Sequence, residues 1–449
     1  MTNNKIQYAY SNNLLINKQK QLMKKLLLLF AAVLALATNA QTMAKTIEVT
    51  TPGTLATLLG DDASSITDLT IKGKVNSTDI NSGLAKASAV TNLDMANAQI
   101  VDADGNDTGV LPNYSMSFNK VLKRMVLPKT LKTIGTNAFY KDQALEEIVA
   151  SEGLTKINQN AFMSCYALKS FNFPSTIETI GRSAFYKTAI ESLNAIAALT
   201  SIGETAFYGS ALKSVDLGAN VATISNAAFA GCLNLAKFTV AAANGKFKTV
   251  DGVIFDTDVT KLYAYPQADP RTEYTTPNTV KEIANSAFDC AARLKTLRIS
   301  EGVEAIPNSM CYGDTVLTKL YLPSTVKTID VGAFDACSQL SEFHIRAVTP
   351  PVAQTGAFGV MFPNYKMNLY VPKGSLQAYQ TAEEWNDSFI SYNEEDEQTG
   401  VTSAAVAKQV KSVVYYNTAG LQSAEPFTGV NIVVTTYTDG TKNTAKLLK

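Results

Sequence analysis

The feature that most constrains this chain is a pair, Ala-Phe, that keeps returning at steps of 22 or 23 residues, with an isoleucine four residues before each alanine. The isoleucines are Ile134, Ile157, Ile180, Ile202, Ile224, Ile283, Ile306 and Ile329, and the phenylalanine position holds Phe139, Phe162, Phe185, Phe207, Phe229, Phe288, Cys311 and Phe334. One unit carries Met310-Cys311 in place of the pair. A third register runs alongside: Leu122, Leu145, Leu168, Ile190, Leu212, Leu235, Leu294, Leu317 and Leu340, each followed three residues later by Met125, Ile148, Phe171, Leu193, Val215, Phe238, Leu297, Leu320 or Phe343. A unit of about two dozen residues cannot bury its own apolar side, so copies must stack on one another. The expected product is a right-handed solenoid of short parallel strands with an irregular convex side. Alanine permits close approach between coils and phenylalanine fills their width. Pro128, Pro174 and Pro323 follow the strand register and end it, since proline offers no ladder N–H.

The repeats span residues 119–358 and are interrupted once, between Phe229 and Phe288. Within the interruption, at about 241–276, Asp251 to Asp256 and Lys261 to Pro266 read as a two-stranded excursion, either a plain insertion or a lid over a binding face. The run Leu317-Thr318-Lys319-Leu320-Tyr321-Leu322-Pro323-Ser324-Thr325-Val326-Lys327-Thr328-Ile329, continuing through Gly332-Ala333-Phe334 to Cys337, resembles one unit of the BspA-like leucine-rich repeats of bacterial surface proteins. The insertion is also similar to one common in that family. The resemblance implies architecture, and it implies adhesion as the expected activity.

Across 449 residues the chain balances 39 basic against 39 acidic side chains. Residues 1–40 hold five lysines and no acid, so cleavage there leaves 34 basic and 39 acidic residues, net −5, which argues against a nucleic-acid partner. Residues 1–22 are polar, without apolar period, and read as an unstructured or misassigned start. Residues 23–40 have the three parts of an export signal: Lys24-Lys25, the apolar run Leu26 to Ala37, and Thr38-Asn39-Ala40. That run is short of the ~20 residues needed to span a bilayer, so membrane contact is expected only through export or anchoring, and the expected location is the outer cell surface or the medium. The five cysteines, Cys165, Cys232, Cys290, Cys311 and Cys337, lie within the repeats, three of them three residues after the repeat phenylalanine, and read as small buried hydrophobes.

Residues 41–118 are expected to form an N-terminal cap of degenerate repeats, with short strands around Thr70-Ile71 and Leu93-Asp94-Met95. The loop Asp102 to Asp107 departs from the calcium-loop pattern in both its glycine and its twelfth residue, and reads as a polar turn. Residues 359–390 read as a C-terminal cap: Leu376, Tyr379, Ala382 and Trp385 fall at helical spacing between Ser375 and Phe389. Trp385 is either part of that packing or a ligand platform. Residues 391–400, with Glu394 to Glu397, read as an acidic linker. Residues 401–449 read as a small antiparallel β domain that resembles the sorting tails of exported proteins of anaerobic Gram-negative bacteria, or equally a plain appended module.

Catalytic signals are sparse. His344 is the sole histidine, beside the strand residue Phe343, and reads as an ordinary strand residue. There is no phosphate-binding glycine motif, and the expectation is a protein without catalysis, cofactor or metal. What remains is surface. Tyr140, Tyr186, Tyr208 and Tyr312 occupy the place after the repeat phenylalanine and predict an intermittent aromatic row outside the coil, which either anchors a partner or packs against neighbouring loops. Glu146-Glu147 near one end of the row weigh against a polyanion there. The expected function is recognition or adhesion at the cell surface, toward a host or bacterial protein or glycan. The alternative is a structural or carbohydrate-handling envelope role.

Overall fold

In a strand, alternate residues face opposite sides, so the register residues Met125, Ile148 and Phe171 turn inward while their neighbours Arg124, Glu147 and Ser170 face outward. In a computed structural model of the protein these strands pair in parallel, Met125 opposite Ile148 and Ile148 opposite Phe171. The structure describes residues 21, 23–25, 43–359, 367–396, 410–417, 419–423, 425–437 and 442–448. The apolar run and cleavage region of the expected signal, residues 1–20 and 22 of the start before it, and residues 397–409 lie outside these.

Each coil contributes one strand from the strand register and one from the isoleucine register, so two parallel ladders run along the solenoid. The isoleucine ladder joins Thr133–Ile134, Lys156–Ile157, Thr179–Ile180, Ser201–Ile202 and Thr223–Ile224 in sequence order, each isoleucine opposite the next. Between the ladders the Ala-Phe segment crosses as a turn and still bonds coil to coil: the Phe139 N–H donates to the Ala161 carbonyl at 2.8 Å and the Phe162 N–H to Ala184 at 2.8 Å. The phenylalanine rings consequently stack, with centroids 4.9 Å apart for Phe139 and Phe162, 5.2 Å for Phe162 and Phe185, 5.2 Å for Phe185 and Phe207, and 5.8 Å for Phe207 and Phe229. Ile134, Ile157, Ile180, Ile202, Ile283, Ile329, Phe288 and Phe334 are buried with them. Ile224 is the exception, half-buried against the core. Its strand is the last of its ladder, so no following coil covers it.

That end is where the insertion begins. It contains three strands rather than two: Phe247–Val250, Val253–Asp256 and Lys261–Ala264 form an antiparallel meander, and the last of them pairs in parallel with Glu282–Ile283. Leu262 thus sits opposite Ile283, in the isoleucine register. Tyr265 takes the aromatic place: its N–H donates to the Ala287 carbonyl and its ring lies 5.3 Å from Phe288. The substitution hides the coil from a search for Ile and Ala-Phe. The phenylalanine stack is broken here, and the buried side chains divide into two clusters that meet at Val253 and Ile254.

At the N-terminal end the strands lengthen rather than shorten. Ala44–Val49, Asp68–Val75 and Asn92–Ile100 continue the same parallel sheet, and short helices replace the Ala-Phe turn. Gly73 (φ +81°) passes so close to the Val49 carbonyl that a Cβ would collide with it. The loop from Asp102 is a polar turn, in which Asp102 accepts from the N–H groups of Asp104 and Asn106, both at 2.9 Å. At the C-terminal end, Asn368–Pro372 and a helix over Leu376–Thr381, shorter than its spacing predicts, close the stack. Trp385 is fully buried there and donates from Nε1 to the Pro351 carbonyl at 2.9 Å, so it packs the cap and is no platform.

The expected linker also differs. Ser391–Glu395 is a strand, paired in parallel with Asn368–Pro372 along its whole length, and ends the solenoid sheet. An outermost strand need bury only one edge, so an acidic segment serves: Asn393 donates to the Leu369 carbonyl and Tyr392 to the Trp385 carbonyl, while Glu394 points to the Gly374 N–H. Beyond it, Val410–Tyr416, Gln422–Ser423, Val430–Tyr437 and Lys442–Leu448 make a separate antiparallel sheet.

Candidate recognition surfaces

The stacking of coils converts any position of the repeat into a row of side chains along the molecule. In the row after the repeat phenylalanine, Tyr186 and Tyr208 stack face to face with centroids 5.1 Å apart and planes 9° apart. The Tyr208 ring extends over Gly231, where a Cβ would touch it at 3.5 Å, and its hydroxyl lies within electrostatic reach of Asp289, Cys290 and Tyr312. Burial, then these acidic neighbours, push the Tyr208 phenol up. Tyr140 stands apart from this group and packs edge-on against the exposed Phe118 at 5.3 Å, with the Lys141 ammonium 5.1 Å from its own ring. Two of the four tyrosines are therefore in ring contact, and Tyr140 heads a smaller aromatic-cationic group.

A second row went unrecognised in the sequence. One residue after the inward Leu297, Leu320, Phe343 and Leu369 stand Arg298, Tyr321, His344 and Tyr370, and parallel pairing brings them side by side on the outer face of the sheet. The Arg298 guanidinium lies 3.8 Å from the Tyr321 centroid, Tyr321 stacks on His344 at 4.3 Å, and His344 on Tyr370 at 4.4 Å. His344 is buried within this stack, its Nδ1 3.0 Å from Glu395 Oε2 and its Nε2 3.5 Å from Glu342 Oε2. The signal was available as the spacing of the residue following each strand-register residue, and Glu395 completes it only because the expected linker is a strand.

Three residues after the phenylalanine lies an inner polar column. The thiols of Cys165, Cys232 and Cys337 donate to the carbonyls of Phe139, Phe207 and Cys311 in the preceding coil. In two coils an aspartate takes the place: Asp142 accepts from the Asn119 N–H at 2.7 Å and Asp314 accepts from the Ala291 N–H. Burial pushes the Asp142 carboxyl up to about 8, Asp289 to about 6, and Asp314 well above the ordinary range. The same burial raises the thiols, so they are inert rather than nucleophilic. All five cysteines are free. Among the described residues no cluster of His, Cys, Asp or Glu is arranged to hold a metal ion, and no helix is long and apolar enough to cross a membrane.

These features define a repeat scaffold that displays side chains in rows. The chain belongs to the BspA-type leucine-rich-repeat family: residues 110–236 and 259–358, half of the chain, match the BspA type leucine rich repeat region in six copies. It is a leucine-rich-repeat protein, a fold often used for protein–protein contact at surfaces. Its fold is similar to that of a leucine rich cell surface protein from Faecalibacterium prausnitzii, at 18% identity and a TM-score of 0.53, over 69% of this chain and 88% of that one. Leucine-rich repeat proteins from Eubacterium ventriosum (18% identity, TM-score 0.47, 72% of this chain and 78% of that one) and Bacteroides ovatus (19% identity, TM-score 0.37, 68% and 92%) also match. No curated protein matches the chain.

Proposed function

We propose that the protein is an exported cell-surface recognition or adhesion protein that binds a host or bacterial protein or glycan through its repeat surface. The observation that carries this reading is the ordering of aromatic side chains into rows outside the packed core, above all the stacked pair Tyr186 and Tyr208. Tyrosines held in place by stacking present an apolar ring and a hydrogen-bonding hydroxyl at little entropic cost on binding. Support for export comes from the lysine pair, short apolar run and small residues of 23–40. The four-stranded antiparallel sheet of the tail supports a separately folding module suited to sorting or anchoring.

The test is saturable binding of the purified full chain to host-cell or bacterial surfaces, with a Tyr186→Ala/Tyr208→Ala variant beside it. A binding curve weakened at least tenfold in the double variant is expected. Absence of saturable binding, joined with co-purification of one fixed envelope partner, would assign the structural role instead. Deleting residues 401–449 is expected to leave signal cleavage and the repeat fold intact while lowering surface display measured by protease accessibility. Equal display would remove the sorting role of the tail.

A further inference from the structure

The outer face of the sheet in the C-terminal half carries a groove of about 570 Å³ where Arg298 and Tyr321 meet the turns that follow their strands. A volume of this size suits one or two sugar rings or a small molecule. Lys281, Arg298 and Arg346 line it, against a single acid, Glu301. Glu301 is already engaged: it accepts from the Ser324 N–H at 3.1 Å and Ser324 hydroxyl at 2.8 Å and stands 3.7 Å from Arg346. Among the described residues, neither Arg298 nor Lys281 is ion-paired. Gly302 (φ +99°) leaves room for the Lys281 Nζ, which packs where a Cβ would stand.

The Arg298 guanidinium is oriented before any ligand arrives. Tyr321 is clamped between it at 3.8 Å and His344 at 4.3 Å, so the guanidinium is held over the ring where it lines the groove. A planar fork held in this way matches a carboxylate or sulfate bidentately. The lining also selects against an apolar peptide: Ile299 and Leu322 belong to the buried core, and Thr275, Asn278 and Tyr321 supply polar groups in their place. We propose that this groove binds an acidic sugar, its carboxylate or sulfate held by Arg298 and Lys281 and its hydroxyls by the polar rim. The proposal deepens the recognition reading by naming a ligand class, and it lies on a different row from the stacked tyrosines.

Titration calorimetry on the full chain tests it with three probes of equal length: oligogalacturonate, a sulfated galactose oligosaccharide and the neutral galactose oligosaccharide. One or both anionic probes are expected to saturate the site, with the neutral probe at least tenfold weaker, and the anionic arm that binds identifies carboxylate or sulfate as the group read. Arg298→Ala is expected to weaken binding at least tenfold and Lys281→Ala about fivefold, while Lys213→Ala, on an exposed ion pair elsewhere, leaves it unchanged. Lys281 is exposed, so its variant decides the matter if Arg298→Ala fails to fold. No binding by either anionic probe, equal binding of the neutral one, indifference to both substitutions, or equal competition by polyglutamate would overturn the assignment. Surface binding that persists in Lys281→Ala while the sugar affinity is lost leaves the recognition reading standing without this ligand. Saturable sugar binding by the native chain with no surface binding at all removes recognition and keeps the groove.

Discussion

Single positions in this solenoid are judged by what the next coil does to them. Asp142 illustrates it: its carboxyl is buried, one oxygen takes the Asn119 N–H, and the other has no partner within the fold. With its pKa raised to about 8 against an ordinary value near ~3.9, the folded protein holds this proton over a range in which the unfolded chain has lost it. The contribution is therefore fully present below about pH 4 and is lost as pH rises through 8. Asp289, raised to about 6, acts with the same sign. Asp142→Asn keeps an acceptor for Asn119 and cannot titrate. Its unfolding free energy is expected to gain on that of the native protein steadily between pH 4 and pH 8, as followed by urea denaturation. Parallel curves for the two proteins would show that the carboxylate is solvated in the fold.

The convex turn around each phenylalanine is the element that repeats most faithfully, and its backbone explains why. Two residues before the phenylalanine and two after it adopt a left-handed conformation: Asn137, Asn160, Ser183, Thr205, Ala227, Ser286, Ser309 and Gly332 in the first column, and Lys141, Ser164, Lys187, Gly209, Gly231, Cys290, Gly313 and Ala336 in the second. This double reversal aims the Phe N–H at the next coil while turning the ring inward. Asparagine and glycine adopt the conformation at less cost than alanine. Ala227, at φ 54° and only half-buried, carries the strain without a compensating side-chain bond. Ala227→Gly is expected to stabilise the protein by about 1 kcal/mol, read as a higher denaturant midpoint at unchanged slope. A lower midpoint would mean that the methyl packs more than its exposure indicates. The ion pairs on these turns and strands, such as Arg124 with Glu147 and Lys327 with Glu304, join neighbouring coils across exposed surface and add little beyond register.

For the whole molecule, the interruption at the insertion matters more than any one coil, because the phenylalanine stack ends at Phe229 and two buried clusters follow in series. In a quasi-one-dimensional array, local damage stays local. Phe185→Ala is expected to cost ~3–5 kcal/mol and to accelerate amide exchange through 110–240 while leaving 296–345 near native rates. Uniform acceleration would show the two clusters to be one cooperative unit. The repeat itself was legible in the sequence, down to the inward positions of Phe139 or Ile157, because stacking identical units obliges each inward residue to recur at the same spacing. Ser391–Glu395 was not legible, since an acidic run forms a strand only where a preformed edge such as Asn368–Pro372 supplies its hydrogen bonds. The coil through Leu262 and Tyr265 was hidden for a related reason: tertiary stacking asks for an apolar residue of suitable size, and a different residue at a shifted position satisfies it. Above all, the row of Arg298, Tyr321, His344 and Tyr370 exists only once strands far apart in the chain lie side by side. Periodicity along the chain determines that there will be coils, an inside and an outside. Which outward side chains touch, and what surface they make together, is decided by the lateral register between coils, which is a property of the folded stack.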